Sequence, residues 1–261
     1  MLGAIIGDII GSVYEWHNIK TKQFELFKSS CFFTDDSVMT CANALAAMEY
    51  KASKGQKPFG GILIPEMKRL GQKYPDAGYG GMFMQWLFSG ETKPYLSFGN
   101  GSAMRVSPVA WIAADLEEAE SLAKQSAEVT HNHPEGIRGA QAVAAAIYLA
   151  RAHQSKQEIK AYLESKYYPL NFRLDDIRAD YKFDVTCQGS VPQAIEAFLE
   201  SEDYEDAVRN AVSIGGDSDT LAAMTGSIAE AFYGIPPAIK ARALQFLDEE
   251  LTGIVERFYM I

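Results

Sequence analysis

Two short acidic clusters constrain this chain more than any other feature. Thr34-Asp35-Asp36-Ser37 and Gly215-Gly216-Asp217-Ser218-Asp219-Thr220 each stand at the head of an apolar, Ala-rich run of helical character. A carboxylate beside buried surface is costly unless it is paired or bound to metal. One acid or hydroxyl at each place would serve as a helix N-cap, and an acid in the first turn would suit the helix dipole. Caps alone do not require four acids, so a fold that brings the two ends of the chain together is the reading to test. Gathered in one place, Asp35, Asp36, Asp217 and Asp219 with the hydroxyls of Thr34 and Thr220 form a hard, all-oxygen set suited to Mg²⁺ or Mn²⁺ and not to zinc. The i, i+2 spacing of Asp217 and Asp219 lets each face a different ion of a two-metal site.

The intervening chain reads as helices. Gly3, Gly7 and Gly11 recur every four residues, one stripe of a helix over 3–14, which lets a neighbour approach its backbone. Asp8 and Glu15 are seven apart, so a continued helix places both carboxylates on one face as a candidate site wall. Helices are expected at 38–50, 61–73, 82–88, 103–114, 116–130, 137–153, 193–201, 203–213 and 221–232, with a peripheral helix and loop in 155–180 and a last helix from the Gly234-Ile-Pro-Pro stop to about Leu251. The glycines of 74–81 make that segment a loop. No strand alternation, internal repeat or linker is evident. The chain is expected to be all-α, a single domain over 1–261 built as a compact orthogonal helical bundle of about ten helices.

Phe98-Gly99-Asn100-Gly101-Ser102-Ala103-Met104-Arg105 reads as a turn whose exposed amides can hold an anion. His131 and His133, at i, i+2, have no partner at zinc spacing and are assigned hydrogen-bonding or stacking roles. Cys31, Cys41 and Cys187 lack a Cys-x-x-Cys pair and suit reduced thiols. The net charge of −10 disfavours nonspecific nucleic-acid or anionic-membrane binding. No apolar run is long enough to span a bilayer, and Asp8 interrupts an N-terminus without basic residues. The protein is expected to be cytoplasmic, unattached to membrane and monomeric.

In order, Gly7-Asp8 through Glu15, Thr34-Asp35-Asp36-Ser37, Gly99 to Arg105, Thr130-His131 and Gly216-Asp217-Ser218-Asp219-Thr220 make the chain resemble the ADP-ribosylglycohydrolase family over nearly its full length. The resemblance implies an all-helical domain with a binuclear magnesium centre held by Thr34, Asp35, Asp36, Asp217, Asp219 and Thr220. It implies that Asn100, Gly101, Ser102, Ala103, Met104 and Arg105 wrap the ribose and diphosphate, with His131 in the same pocket. Ser218, where Thr is commoner, is not a ligand in the family. The expected reaction is hydrolysis of the bond from ADP-ribose to an acceptor on protein, nucleic acid or a small molecule. It passes through an oxocarbenium-like state, with Asp35 and Glu15 moving protons and Asp76 as a substitute. Arg105 pairs either with phosphate or with a structural carboxylate. The alternatives are a module that binds ADP-ribose without cleaving it, and a two-metal nucleotide phosphohydrolase.

Overall fold

Helix α1, Leu2–Gly11, is buried on every side and sets the packing of the rest. The computed structural model describes all residues 1–261. After α1 and a 3-10 turn at 12–14, an irregular segment leads to α2 (Asp35–Ala52), α3 (Phe59–Lys73) and α4 (Gly81–Phe88). A central group follows: α5 (Gly101–Met104), α6 (Ser107–Ile112), α7 (Leu116–Glu128) and α8 (Pro134–Arg151). The remaining helices are α9 (Lys156–Lys166), α10 (Leu174–Ile177), α11 (Cys187–Leu199), α12 (Tyr204–Ser213), α13 (Ser218–Tyr233), α14 (Pro237–Ala243) and α15 (Glu249–Phe258). There is no sheet; Gly99 and Thr186 form a lone antiparallel bridge. One continuous apolar core runs from Met1 to Phe258. No helix is long and apolar enough to cross a membrane.

Local chemistry explains most boundaries. Asp115, Asp203 and Asp248 each accept from a backbone N–H of the helix they precede, and Ser155 with Glu158 forms a capping box. Fifteen α-helices stand where about ten were expected: two apolar runs contain internal breaks, and the charged stretch 155–180 supplies both α9 and α10. The run 103–114 divides at Arg105 and Val106 into α5 and α6. The last expected helix also divides. Its chain passes through a 3-10 turn at 244–246 and restarts where Asp248 Oδ1 accepts from Leu251 N at 2.9 Å. Helix α11 starts six residues early because Thr186 caps it through Gly189 N.

The glycine stripe of α1 packs against α13 backbone to backbone. A Cβ on Gly3 would overlap the Gly226 carbonyl, on Gly7 the Ala222 carbonyl, and on Gly11 the Asp219 Cα. Only glycine allows that approach. The contact fixes the first and second acidic clusters as neighbours, since α2 follows α1 and α13 carries Asp217 and Asp219 at its start.

Candidate active site

A cavity of about 860 Å³ opens where α2, α5 and α13 meet, and Glu15, Asp35, Asp36, Asp76, Asp217 and Asp219 all line it. Thr34 is the N-cap of α2: its hydroxyl accepts from Asp36 N at 3.3 Å. With the cap supplied by Thr34, the Asp35 and Asp36 carboxylates are free for other work. Asp217 stands at the N-cap position of α13 yet makes no side-chain cap hydrogen bond. Gly215 and Gly216 precede it with φ of 68° and 79°, the left-handed turn that glycine tolerates. Thr220 Oγ1 donates to Asp36 Oδ2 at 3.1 Å and joins the two clusters. Asp36 Oδ1 is buried without any protein partner. Carboxylate oxygens of Glu15, Asp217 and Asp219 lie within 4.8 Å of one another.

Burial dominates the electrostatics. Asp35, Asp36 and Asp219 are held well above the usual carboxylate range, first by loss of water and then by neighbouring carboxylates. Asp217 is also raised by burial, with the bond that Asn100 Nδ2 donates to its Oδ2 at 2.7 Å acting the other way. Glu15 is raised to about 7 by partial burial and then by the Asp217 charge. Arg105 is the only Lys or Arg lining the cavity, and no carboxylate pairs with it. This donor set fits hard divalent cations: all-oxygen, acidic, desolvated and with one orphaned oxygen.

Asp8 does not line the cavity. Helix α1 ends at Gly11 and tightens into the 3-10 turn, and of the expected pair only Glu15 lines the cavity, although the Asp8 charge still acts on it. Asp8 is buried and receives Thr34 N at 2.9 Å, Thr34 Oγ1 at 2.7 Å, Ser37 N at 3.0 Å and the Ser37 hydroxyl. It therefore fixes the start of α2 from across the core. Burial raises it to about 6 against those four bonds.

The mouth of the cavity is apolar. Trp16, Phe32, Met82, Phe98, Phe183 and Val185 line it, and these are six of the eleven large hydrophobic side chains exposed on the protein. An exposed apolar patch concentrated at a cavity marks a binding surface. Trp16 and Phe183 stack with centroids 5.2 Å apart. A second groove of about 420 Å³, bounded by Lys20, Asp175, Arg178 and Glu200, has no apolar wall.

A sequence model of the ADP-ribosylglycohydrolase family matches residues 1–261. The chain belongs to that family. As an ADP-ribosylglycohydrolase it is a hydrolase that acts on ADP-ribose glycosidic bonds. It is similar to ADP-ribosylhydrolase ARH3 of Mus musculus, 24% identical over an alignment covering 90% of this chain and 83% of the mouse protein. The ARH3 of Xenopus tropicalis is 26% identical, with 97% and 92% covered. ADP-ribosylarginine hydrolase Tri1 of Pseudomonas putida is 30% identical over 52% of this chain and 39% of its own. Among solved structures, an ADP-ribosylglycohydrolase-related protein complex shares the fold, with a TM-score of 0.69, 23% identity, and 99% and 95% covered.

In this ADP-ribosylglycohydrolase the six oxygen residues named from sequence (Thr34, Asp35, Asp36, Asp217, Asp219 and Thr220) all border one cavity, as do Asn100, Gly101, Met104, Arg105 and His131. Ser102 and Ala103 do not. The Ser102 hydroxyl donates to Gly136 O at 2.7 Å, and Ala103 is fully buried. Asn100 spends its amide on Asp217. Arg105 Nη1 donates to Gly101 O at 3.0 Å, and Nη2 donates to Ser126 O at 3.0 Å and Thr130 Oγ1 at 2.9 Å. No carboxylate pairs with it, and its Nε is buried without a partner.

Asn18 escaped the sequence reading. Its Nδ2 donates to Tyr14 O, Glu15 O and Gly216 O, and its Oδ1 accepts from Gly216 N at 2.8 Å. It clamps the segment carrying Glu15 to the turn carrying Asp217. Asn18→Ala is expected to loosen both, lowering metal affinity on the order of tenfold or more by analogy with other supporting groups of metal sites. Isothermal titration with Mn²⁺ checks this; wild-type affinity would remove Asn18 from the site.

Proposed function

We propose that this hydrolase depends on two divalent cations, Mg²⁺ with Mn²⁺ able to substitute, and releases ADP-ribose from an acceptor, reversing ADP-ribosylation. The observation that carries the reading is the convergence of six carboxylates on one cavity, with Asp36 Oδ1 left without a partner. Thr34, Asp35, Asp36, Asp217, Asp219 and Thr220 would hold the ions, and the closeness of Glu15 to Asp217 and Asp219 adds it to the candidate ligands. Bound divalent cations supply charge stabilisation and orientation of water and substrate hydroxyls.

The protein's own groups do the rest. Gly101, which lines the cavity and opens α5, has an N–H without an intrahelical partner, which supports a diphosphate along 99–105. The aromatic mouth offers a stacking surface for a flat base. Asp35, whose Oδ1 lies beside Gly78 in the 76–81 loop, and Glu15 at the rim are the candidates for proton transfer to the departing acceptor and from water. Asp76, on that same loop, is the substitute. Phe183→Ala is expected to raise KM about tenfold with little change in kcat, since one base–aromatic stack is worth about 1–3 kcal/mol; equal KM values would place the base elsewhere.

Mass spectrometry of products from ADP-ribosylated arginine, serine and nucleic-acid substrates, with and without Mg²⁺, tests the function. Intact ADP-ribose formed only with metal supports it. Release of AMP or phosphate would favour a nucleotide phosphohydrolase, and tight binding without turnover a binding module. The panel also identifies the acceptor.

The metal reading also fixes a pH dependence. Groups whose native pKa is raised bind more protons folded than unfolded, so their contribution to stability is present at low pH and lost as pH rises. For Asp8 and Glu15 the window runs from about 4 to about 7. Metal-free protein is therefore expected to melt higher at pH 5.5 than at pH 7.5. Mg²⁺ at about 100 times its Kd adds about 2.7 kcal/mol, or roughly 5–10 °C in a chain of this size, with the larger gain at the higher pH. Calorimetry at both pH values reads this out; a Tm indifferent to Mg²⁺ would sink the two-cation reading.

A further inference from the structure

Arg105 is the only Lys or Arg side chain at the cavity, and protein groups take up both its terminal nitrogens. One of its partners, the Thr130 hydroxyl, lies 2.7 Å from His131 Nδ1. The chain of donors has a direction. A guanidinium can only donate, so Arg105 occupies a lone pair of Thr130 Oγ1 and polarises its O–H. With one lone pair so occupied, the hydroxyl proton can go to Nδ1, 2.7 Å away, which makes Nδ1 the bare ring nitrogen. The ring proton is left on Nε2. No protein group accepts from Nε2, and it faces the glycine loop: a Cβ on Gly101 would lie 3.2 Å from it and one on Gly99 3.6 Å. The imidazole is 5% exposed, and burial, then the Arg105 charge, hold it well below the usual histidine range, so it carries no charge.

We propose that Arg105 and Thr130 are positioning residues that lock His131 as the neutral Nε2–H tautomer, presenting an uncharged donor to a ligand oxygen along Gly99–Gly101. The ligand class is an anionic oxygen such as one of a diphosphate, and this part rests on the function proposed above. The tautomer itself does not. An uncharged donor has an advantage in this cavity: a histidinium would be drawn to the six carboxylates, whereas a neutral N–H bonds the ligand without competing for them. It also gives Arg105 a use that its sequence position did not reveal, because the guanidinium acts on the ligand through two intervening side chains.

Long-range ¹H–¹⁵N spectra of the Mg²⁺-loaded full chain test this, with His131 assigned among four histidines by its absence in His131→Gln. The expected wild-type spectrum has a bare Nδ1 and a protonated Nε2. Thr130→Val should redistribute the ring proton and weaken ADP-ribose binding about tenfold, the loss of about one hydrogen bond, while Thr130→Ser should retain both. Tyr95→Phe removes a phenol that also bonds the Thr130 side chain and so competes with Nδ1 for its proton; the tautomer should be unchanged, because that proton already goes to Nδ1. A wild-type proton on Nδ1, an unaltered tautomer in Thr130→Val, or a changed one in Tyr95→Phe each overturns the proposal. Should Thr130→Val fail to fold, the wild-type and Thr130→Ser spectra decide. Absence of ADP-ribose binding with the Nε2–H tautomer intact would overturn the proposed function and leave the relay standing.

Discussion

Asp219→Ala is expected to lower kcat/KM by on the order of 10³-fold or more at saturating Mg²⁺, with the protein still folded. Asp219 is buried, lies within 4.8 Å of the Glu15 and Asp217 carboxylates, and is pushed well above its usual range by burial and by those neighbours. Removing it deletes a candidate ligand and also relieves repulsion, so the metal-free variant should melt higher than metal-free wild type. The magnitude follows from the several kcal/mol of charge stabilisation a metal site supplies, at about 1.4 kcal/mol per tenfold in rate. Steady-state kinetics over a Mg²⁺ titration separate a lost site from a weakened one. Full activity in Asp219→Ala would remove α13 from the chemistry. Asp36→Ala should resemble it in kcat/KM, although it also loses the bond that Thr220 Oγ1 donates to Asp36 Oδ2.

Gly7→Ala is expected to be the most damaging single methyl addition in the chain. The new Cβ would overlap the Ala222 carbonyl and approach Ala223 N to 2.7 Å, all backbone atoms that cannot rotate aside. The helices must separate, and overpacking of that kind belongs with the rare losses of about 4 kcal/mol or more, roughly 10 °C in Tm. Gly11→Ala makes a sharper test. Its Cβ would meet Ser218 and Asp219 backbone, so metal affinity should fall even where the Tm survives. Calorimetry with Mn²⁺ titration reads both; wild-type values for the pair would contradict the close approach of α1 and α13.

The gathering of hydroxyls and acids at one cavity was legible because two such clusters before Ala-rich runs hold more acids than helix caps need. The glycine spacing of α1 likewise announced a close neighbour. What failed was anything decided by a local change of helix geometry. The end of α1 at Gly11 turned Asp8 from a site wall into a brace for α2, and the restart at Asp248 divided an otherwise periodic run. Asn18, Trp16 and Phe183 carried no signal because the partner that gives each its place, Gly216 for Asn18 and each other for Trp16 and Phe183, is remote in the chain. The placing of Arg105 was hidden for a different reason: carbonyl and hydroxyl acceptors hold its two terminal nitrogens, and main-chain acceptors leave no mark in a sequence.

The close joint between α1 and α13 has a consequence for synthesis. Ser218 and Gly11, which meet there, lie 207 residues apart along the chain. At about 5–20 residues per second, a ribosome takes roughly 10–40 s to cover that span. Throughout that time α1, apolar apart from Asp8 and fully buried in the finished protein, has no α13 to receive it. The nascent chain must shelter an aggregation-prone segment until its last quarter emerges, and no truncated product can hold the acidic centre. Chaperone dependence during translation, and abrupt loss of soluble yield on deletion of α13, are what such an arrangement entails.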